Sequence, residues 1–326
     1  MIEQSPTGWL LSCDWGTSTF RLYLVNAATG EVLASVKCAE GVNALHQTSR
    51  AGGGAGSRDE IYSSVFRRQM KILASLSGQK LDGLPVVVSG MATASIGWRE
   101  IPYLEMPFAL DGSGLRIERL DPQPPAIGSV LLVSWARTAG DMMRGEEIQV
   151  TGAVAVGARP DALFVLPGTH SKHVRTNGKY AVDLRTYMTG EFFELLARQS
   201  ILVHSIEDDA EEWAGTDRAF NDGVKAGAAE NLLHASFGVR VAQLDARRDR
   251  REGWRYLSGL VTGAELREVA MAPEAAIALV GSPAQTSRYN CALRTLGHRG
   301  PIAEYASATA LIAGHIAVAR RTGLIA

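Results

Sequence analysis

Two short stretches of this 326-residue chain combine residue types suited to phosphate chemistry. The first, Asp14-Trp15-Gly16-Thr17-Ser18-Thr19, follows the apolar run Trp9-Leu10-Leu11 and precedes Phe20, Leu22 and Leu24, which alternate with Arg21 and Tyr23. The second, Pro167-Gly168-Thr169-His170-Ser171-Lys172, also follows an apolar run and leads into a strand pattern. Backbone N–H groups and hydroxyls in tight turns bind phosphate oxygens without a lysine. Asp14, at the mouth of the first turn, is placed to hold Mg2+ through water, because that ion keeps several of its waters. One such turn is an ordinary hairpin connection of Asp, Gly, Thr and Ser. Two in one chain, each after a buried strand, point to a polyphosphate. A third glycine turn, Leu279-Val280-Gly281-Ser282-Pro283, is available for a nucleotide's base or ribose.

Phosphoryl transfer needs positioning, charge neutralisation and a carboxylate to take the alcohol proton. Asp141, Glu146 and Glu147, in GDMMRGEEIQVTGA, are the carboxylates on offer. Their structural alternative is to complement the dipole at a helix start. Trp98, beside Gly97 in a strand-end loop, is positioned to wall a sugar site. His46, His204, His234, His298 and His315 show no ligand spacing and read as ordinary surface or core residues.

The elements that must carry these residues follow from periodicity and turn chemistry. Leu22–Val25 and Val32–Val36 read as a hairpin, which separates the first turn from a P-loop, where the glycines open a helix. The glycine tract Ala51–Ser57 reads as a surface loop. Asp59–Leu76 has helical spacing, with Ile61, Val65, Ile72 and Leu76 on one side. Val86–Val88 and Ser129–Ala136 read as buried strands, and Asp141–Val156 as a helix. Further helices are expected from Glu191, over Thr216–His234, Glu252–Ala270, Tyr289–Leu296 and Ala306–Arg320, with a strand over Ala276–Val280. The charge run Asp245–Arg255 reads as a solvated helix face. The strand–turn–strand cradle thus occurs twice, which suggests an internal duplication with a boundary near Gly157–Asp161. The domains expected are residues 1–157 and 158–326.

Composition excludes several classes. The chain is 46% hydrophobic and 21% charged, as soluble globular proteins are. A net charge of −1 provides no field for nucleic acid or an anionic membrane. Cys13, Cys38 and Cys291 are odd in number and lack metal-type spacing, as reduced cytoplasmic thiols do. The first residues lack the basic region of a signal peptide, and the most apolar late stretch, Ala306–Ala319, is too short to span a membrane. The expected partners are small molecules. A homodimer is compatible with these features.

The turn DWGTSTFR resembles the first phosphate loop of the sugar kinase, actin and heat-shock chaperone superfamily. The ordered set SGMATASIGW, PYLEMP, MRGEEIQVTGA, LPGTHSKHV, RTYMTGE and YLSGLVTGAE is similar to that of the 2-dehydro-3-deoxygalactonokinases, over nearly the whole chain. It departs at His173, where family members often carry Trp, and in the glycine tract. The resemblance implies an α/β, two-domain actin-like (ribonuclease H-like) ATPase fold, with mixed sheets flanked by helices and a nucleotide cleft between the domains. It implies ATP-dependent phosphorylation of the terminal hydroxyl of 2-dehydro-3-deoxy-D-galactonate. Asp14, Gly16, Thr17, Ser18 and Thr19 would meet Mg2+ and the β- and γ-phosphates. Gly168 and Thr169 would form the second phosphate loop, with His170 and Lys172 near the transferred group. SGLVTGAE, with Gly259 and Gly263, and LVGSP, with Gly281 and Ser282, would bound the adenosine. Gly90 and Met91 would join Trp98 at the sugar. Among the carboxylates, Glu146 follows a glycine, as the base does in related sugar kinases, and ranks first. The substrate's own carboxylate calls for a planar cation. Arg185, which ends KYAVDLR, is the leading choice, with Thr189 and Gly190 as added donors. A kinase for another aldonate or sugar, or a non-catalytic nucleotide-dependent sensor on this fold, are the alternatives. An ADP-release screen separates them.

Overall fold

The computed structural model describes residues 8–51, 57–121, 127–134, 136–209 and 217–325. In chain order the first elements are β1 (Trp9–Trp15), β2 (Phe20–Asn26), β3 (Val32–Cys38), α1 (Val42–Ala51), α2 (Arg58–Ser77), β4 (Val86–Gly90), β5 (Leu104–Glu105) and β6 (Phe108–Ala109). There follow β7 (Ile117–Leu120), β8 (Val130–Val133), β9 (Ala136–Arg137), β10 (Met142–Met143), α3 (Glu146–Ala155), β11 (Leu163–Leu166), β12 (Ser171–Thr176) and β13 (Tyr180–Tyr187). The chain ends with α4 (Thr189–Gln199), α5 (Arg218–Ala229), α6 (Leu232–Leu244), α7 (Arg250–Leu266), β14 (Ile277–Gly281), α8 (Pro283–Thr295), β15 (Ile302–Ala306) and α9 (Ser307–Arg321).

Two compact units result. One comprises Met1–Pro160 with Lys179–Asp183 and Ala308–Ala326, the other Asp161–Gly178 with Leu184–Ser307. The C-terminal helix α9 therefore packs with the first unit. In the first unit the strand order is β3-β2-β1-β4-β8-β7. β1, β2 and β3 are an antiparallel meander, and β4 and β8 add in parallel. The other sheet runs β13-β12-β11-β14-β15, again with β11 antiparallel to the strand before it in this order and β14 and β15 added in parallel, and β6 pairs antiparallel with Tyr180 and Ala181. The same strand order twice is the duplication expected from the two cradles, and the fold is the actin-like ATPase class. In each case the central strand, β1 or β11, is buried on both faces before it enters its polar turn.

The first core gathers Trp15, Phe20, Tyr62, Phe66 and Trp98, with Trp15 edge-on to Phe20 at 4.8 Å and to Trp98 at 5.9 Å. The aromatic ring that ends β1 thus anchors the first turn from below. In the second unit α5 and α7 meet backbone to backbone. A methyl group on Gly227 would lie 1.9 Å from the Leu260 carbonyl oxygen, and one on Gly263 would lie 2.1 Å from that of Val224. Gly223 and Gly259 make the same close approach, at 2.2 and 2.1 Å from the oxygens of Tyr256 and Phe220.

Several expected elements differ. The helix expected from Asp141 begins at Glu146, because Met142 and Met143 pair with β9 and Gly145 turns the chain at φ 103°. The described part of Thr216–His234 is two helices. Asn231 accepts from the N–H groups of Leu233 and His234 and so starts α6 afresh. The helix expected from Tyr289 begins at Pro283, behind a Ser282–Gln285 capping box. The helix expected over Glu252–Ala270 runs Arg250–Leu266, and a short turn of 3-10 helix, Val269–Met271, follows it. Along α2 the buried face is Tyr62, Val65, Phe66, Gln69, Met70 and Leu73, while Ile72 and Leu76 are exposed. The charge run Asp245–Arg255 is not wholly a solvated face, because Arg255 bridges Asp209 and Asp217. Residues 52–56 of the glycine tract, and Trp135 in the expected strand Ser129–Ala136, lie outside the described residues.

Candidate active site

The first turn closes with a 2.8 Å hydrogen bond from the Gly16 N–H to the Thr19 carbonyl. Thr17 and Ser18 at its tip are exposed. Behind it, the N–H groups of Val42 and Asn43 donate to the carbonyls of Gly16 and Thr17 at 3.0 and 3.1 Å. Gly41 permits this, since a methyl group there would lie 2.4 Å from the Thr17 carbonyl oxygen. Asp14 faces Arg21 across the β1–β2 hairpin, and the Arg21 Nη1 donates to Asp14 Oδ2 at 2.7 Å. Burial pushes the Asp14 carboxyl above its ordinary value, against the pull of Arg21. Gly90 sits beside Asp14 in the parallel strand β4. Its φ of 90° and a distance of 3.3 Å from a Cβ position to Asp14 Oδ1 leave no room for a side chain. Among the described residues no group of three or more His, Cys, Asp or Glu could by itself hold a metal ion. One carboxylate fits Mg2+ when a polyphosphate supplies the other oxygens, which is how that ion is commonly held.

The N-terminus of α3 comes close to the same strand end, with a Cβ position on Gly145 lying 3.4 Å from Gly90 Cα. Glu147 is fully buried, and burial and the neighbouring Glu146 push its carboxyl well above the usual range, against the pull of the Gly145 N–H that it accepts at 2.8 Å. Glu146 is only partly buried and accepts from the Arg144 N–H at 2.7 Å. Arg144 in turn reaches the Met91 sulfur, and burial lowers its guanidinium to about 10. Asp141 accepts from the Met142 N–H at 2.7 Å in the preceding loop. Below the strands, His315 of α9 bonds Ser12 Oγ at 2.7 Å and Ser89 Oγ at 3.0 Å. Burial lowers this imidazole to about 3, so it is neutral. Trp98 is 1% exposed and belongs to the aromatic core, which places its ring away from any surface that could wall a sugar.

In the second unit the turn Pro167–His170 is pinned from several sides. The Glu191 N–H donates to the Thr169 carbonyl at 3.1 Å, His170 pairs with Glu191, and Gln285 donates to the Pro167 carbonyl at 3.3 Å. Gly190 lets the start of α4 press on the turn, since a methyl group there would lie 2.6 Å from the Gly168 carbonyl oxygen. The turn opens onto a cavity of about 550 Å³. Gly168 and Thr169 line it with Thr189 and Gly190 of α4, Ser258 and Thr262 of α7, and Gln285 and Tyr289 of α8. The glycines singled out in α7 do something else: Gly259 and Gly263 pack on α5, and it is their neighbours that face the cavity. Ser282 caps α8, and Gly281 ends β14 just before it. Lys172 is buried and donates to Thr186 Oγ1 at 2.8 Å. Arg185 is exposed and paired with Glu268.

One residue here went unread in the sequence. Glu265, 3% exposed at the end of α7, accepts hydrogen bonds from Ser171, His173, Thr189 and Tyr289. The signal available was an acid within the otherwise apolar and small run Leu257–Leu266. His173 is one of its donors.

The 2-keto-3-deoxy-galactonokinase family model matches residues 14–318, from the first turn to the last helix. A Rhizobium meliloti (strain 1021) protein assigned as 2-dehydro-3-deoxygalactonokinase DgoK1 is 32% identical over 304 residues, covering 90% of this chain and 91% of that one. The 2-dehydro-3-deoxygalactonokinase of Escherichia coli (strain K12) is 29% identical over 302 residues, covering 89% and 91%. A crystal structure assigned to the same activity, from Sinorhizobium meliloti, superposes with a TM-score of 0.76 at 30% identity and covers 97% of this chain and 99% of that one. The sequence motifs, the twice-used strand order and these matches agree: the chain belongs to the 2-keto-3-deoxy-galactonokinase family.

Proposed function

We infer that the protein transfers the γ-phosphoryl group of ATP to the terminal hydroxyl of 2-dehydro-3-deoxy-D-galactonate, giving the 6-phosphate and ADP. The observation that carries this is the family match across residues 14–318, which includes both polar turns and the carboxylates of α3. In the first unit, the turn Gly16–Thr19 offers N–H groups and hydroxyls to phosphate oxygens, and Asp14, oriented by Arg21, is the residue to hold Mg2+. The ion supplies neutralisation of the phosphate charge. In the second unit, Gly168 and Thr169 take phosphate oxygens, with His170 beside them, and the adjoining cavity takes the adenosine.

Glu146 is the general base in this reading. It sits at the helix start with partial exposure, whereas Glu147 is enclosed and spends its oxygens on the Gly145 N–H. Glu146 takes the proton of the attacking hydroxyl as its oxygen bonds to the γ-phosphorus, and the bond from that phosphorus to the bridging oxygen of ADP breaks. Gly90 and Met91 border the same strand end and are assigned to the sugar acid. Arg185 is assigned to its carboxylate. Exchanging Glu268 for that group costs little, because an exposed ion pair contributes little. We place the reaction in the cytoplasm, where the free cysteines stay reduced.

The test is an ADP-release assay with ATP over a panel of keto-deoxy sugar acids and aldoses. Release on 2-dehydro-3-deoxy-D-galactonate and not on aldoses is expected. Release on no sugar acid, with ATP binding retained, would overturn the assignment in favour of a nucleotide sensor.

A further inference from the structure

The side chain of Glu265 divides its hydrogen bonds evenly. One carboxylate oxygen accepts from Ser171 Oγ at 2.7 Å and His173 Nε2 at 2.8 Å, both on β12, immediately after the second phosphate turn. The other accepts from Thr189 Oγ1 at the start of α4 and from Tyr289 Oη of α8 at 2.7 Å. The carboxylate itself rides on α7, one turn beyond Thr262. Three helices that line one cavity, α4, α7 and α8, and the strand that follows its polar turn are thereby tied to a single pair of oxygens.

Stability alone is a poor explanation for this arrangement. Enclosing a carboxylate is costly, and well-packed apolar residues of similar volume often serve stability as well or better. A fully satisfied buried polar group does fix geometry, since each donor has one place to be. What is fixed here is the spacing between the turn that faces phosphate and the walls of the cavity beside it. Thr189 and Tyr289 line that cavity themselves, and Ser171 follows directly on the turn.

We propose that Glu265 is the positioning residue of the second phosphate turn: it holds Gly168–Thr169 at the distance from the α7 and α8 walls that the phosphates of a bound adenine nucleotide require. This rests on the assignment of that turn to phosphate, so the test separates the two. Glu265→Gln keeps the shape but replaces one acceptor oxygen by a donor, so one of the two pairs of tied groups loses its partner or must reverse its hydrogen bond. Its effect should fall on ligands with phosphates and spare ligands without them.

The experiment compares binding of ADP and of adenosine to the full-length wild type and to Glu265→Gln by isothermal titration, with melting curves alongside. ADP affinity is expected to fall about tenfold or more, as for other residues that orient a binding group, while adenosine affinity stays within about twofold. Turnover with ATP should fall by about 10–100-fold, with the sugar-acid KM unchanged. Ser171→Ala, which removes one donor and leaves the carboxylate, should reproduce part of the ADP-selective loss. Equal weakening of ADP and adenosine, or no weakening of either, overturns the positioning role. A wild type that binds adenosine as tightly as ADP removes the phosphate assignment of the turn, and the positioning role with it.

Discussion

The turn at Gly16–Thr19 is held from behind by main-chain hydrogen bonds from Val42 and Asn43, whereas Pro167–Ser171 is held by the side chains of Glu265, Gln285 and Glu191 in addition to one main-chain bond from the Glu191 N–H. Both follow the central strand of a sheet with the same order, and both are tight polar turns. The first leaves Thr17 and Ser18 open to solvent. The second is embedded among three helices that also wall a cavity. A duplicated scaffold has thus been finished in two ways. One copy presents a simple open turn next to the carboxylates Asp14 and Glu146, and the other builds a braced turn into a binding pocket. In the assignment proposed above, the chemistry belongs with the first and the grip on nucleotide with the second.

The largest expected effect tests the first half of that division. Glu146→Gln should lower kcat by on the order of 10²–10⁴ with a much smaller change in KM. Glu147→Gln, which keeps an acceptor for the Gly145 N–H, should cost far less, and the reverse ranking in steady-state assays would move the base to Glu147. Next, Arg185→Ala should raise the sugar-acid KM by about tenfold and leave the ATP KM unchanged, because Arg185 does not line the cavity assigned to the nucleotide. An unchanged sugar-acid KM would place the carboxylate elsewhere.

A matched pair of glycine substitutions sharpens the comparison directly. Gly41→Ala forces a methyl group against the back of the first turn, and Gly190→Ala does so at the second. Each should destabilise by about 1–3 kcal/mol in chemical denaturation. The braced turn should transmit its displacement into weaker ADP binding, while Gly41→Ala should act mainly on kcat. If both variants show the same kinetic profile, the two turns are not divided in this way.

The smallest effect concerns acid. His315, tied to Ser12 and Ser89 beneath the Asp14 turn, is lowered from 6.5 to about 3 by burial. Its folded-state pKa is depressed, so its contribution to stability is complete above pH 6.5 and declines as pH falls from there toward 3. At pH 5.5 the wild type should have lost about 1.2 kcal/mol from this group relative to neutral pH. His315→Gln should lack that share of the slope in urea titrations at the two pH values. A variant with the wild-type slope would show that the histidine is already solvated.

What the sequence made legible follows the same division. The first turn is written in consecutive residues, and its strands alternate cleanly, so Asp14 and Gly16–Thr19 are found by inspection. The second turn is equally visible, but its bracing is not, because Glu265 lies 94 residues from Ser171 and 76 from Thr189. The helix start at Glu146 is blurred by Met142 and Met143, whose apolar spacing imitates another helical turn but serves a short strand pair. Trp98 is a strand-end-loop tryptophan by sequence context and a core ring by its neighbours Trp15, Tyr62 and Phe66. Local patterns were readable, and contacts closed by distant chain segments were not.

The interlocked glycines of α5 and α7 have a bearing on how variants of this protein would be interpreted. Gly223, Gly227, Gly259 and Gly263 each meet a carbonyl oxygen of the opposite helix at a distance that tolerates no carbon. In a library of random mutants these sites would be as intolerant as any catalytic residue, and two of them fall inside SGLVTGAE, the stretch bordering the cavity. Alanine at Gly259 would depress ATP turnover by prising α7 from α5. A fitness map alone would therefore draw the nucleotide site too large, extending it to a seam between helices, and only a companion map of protein abundance would return those positions to the fold.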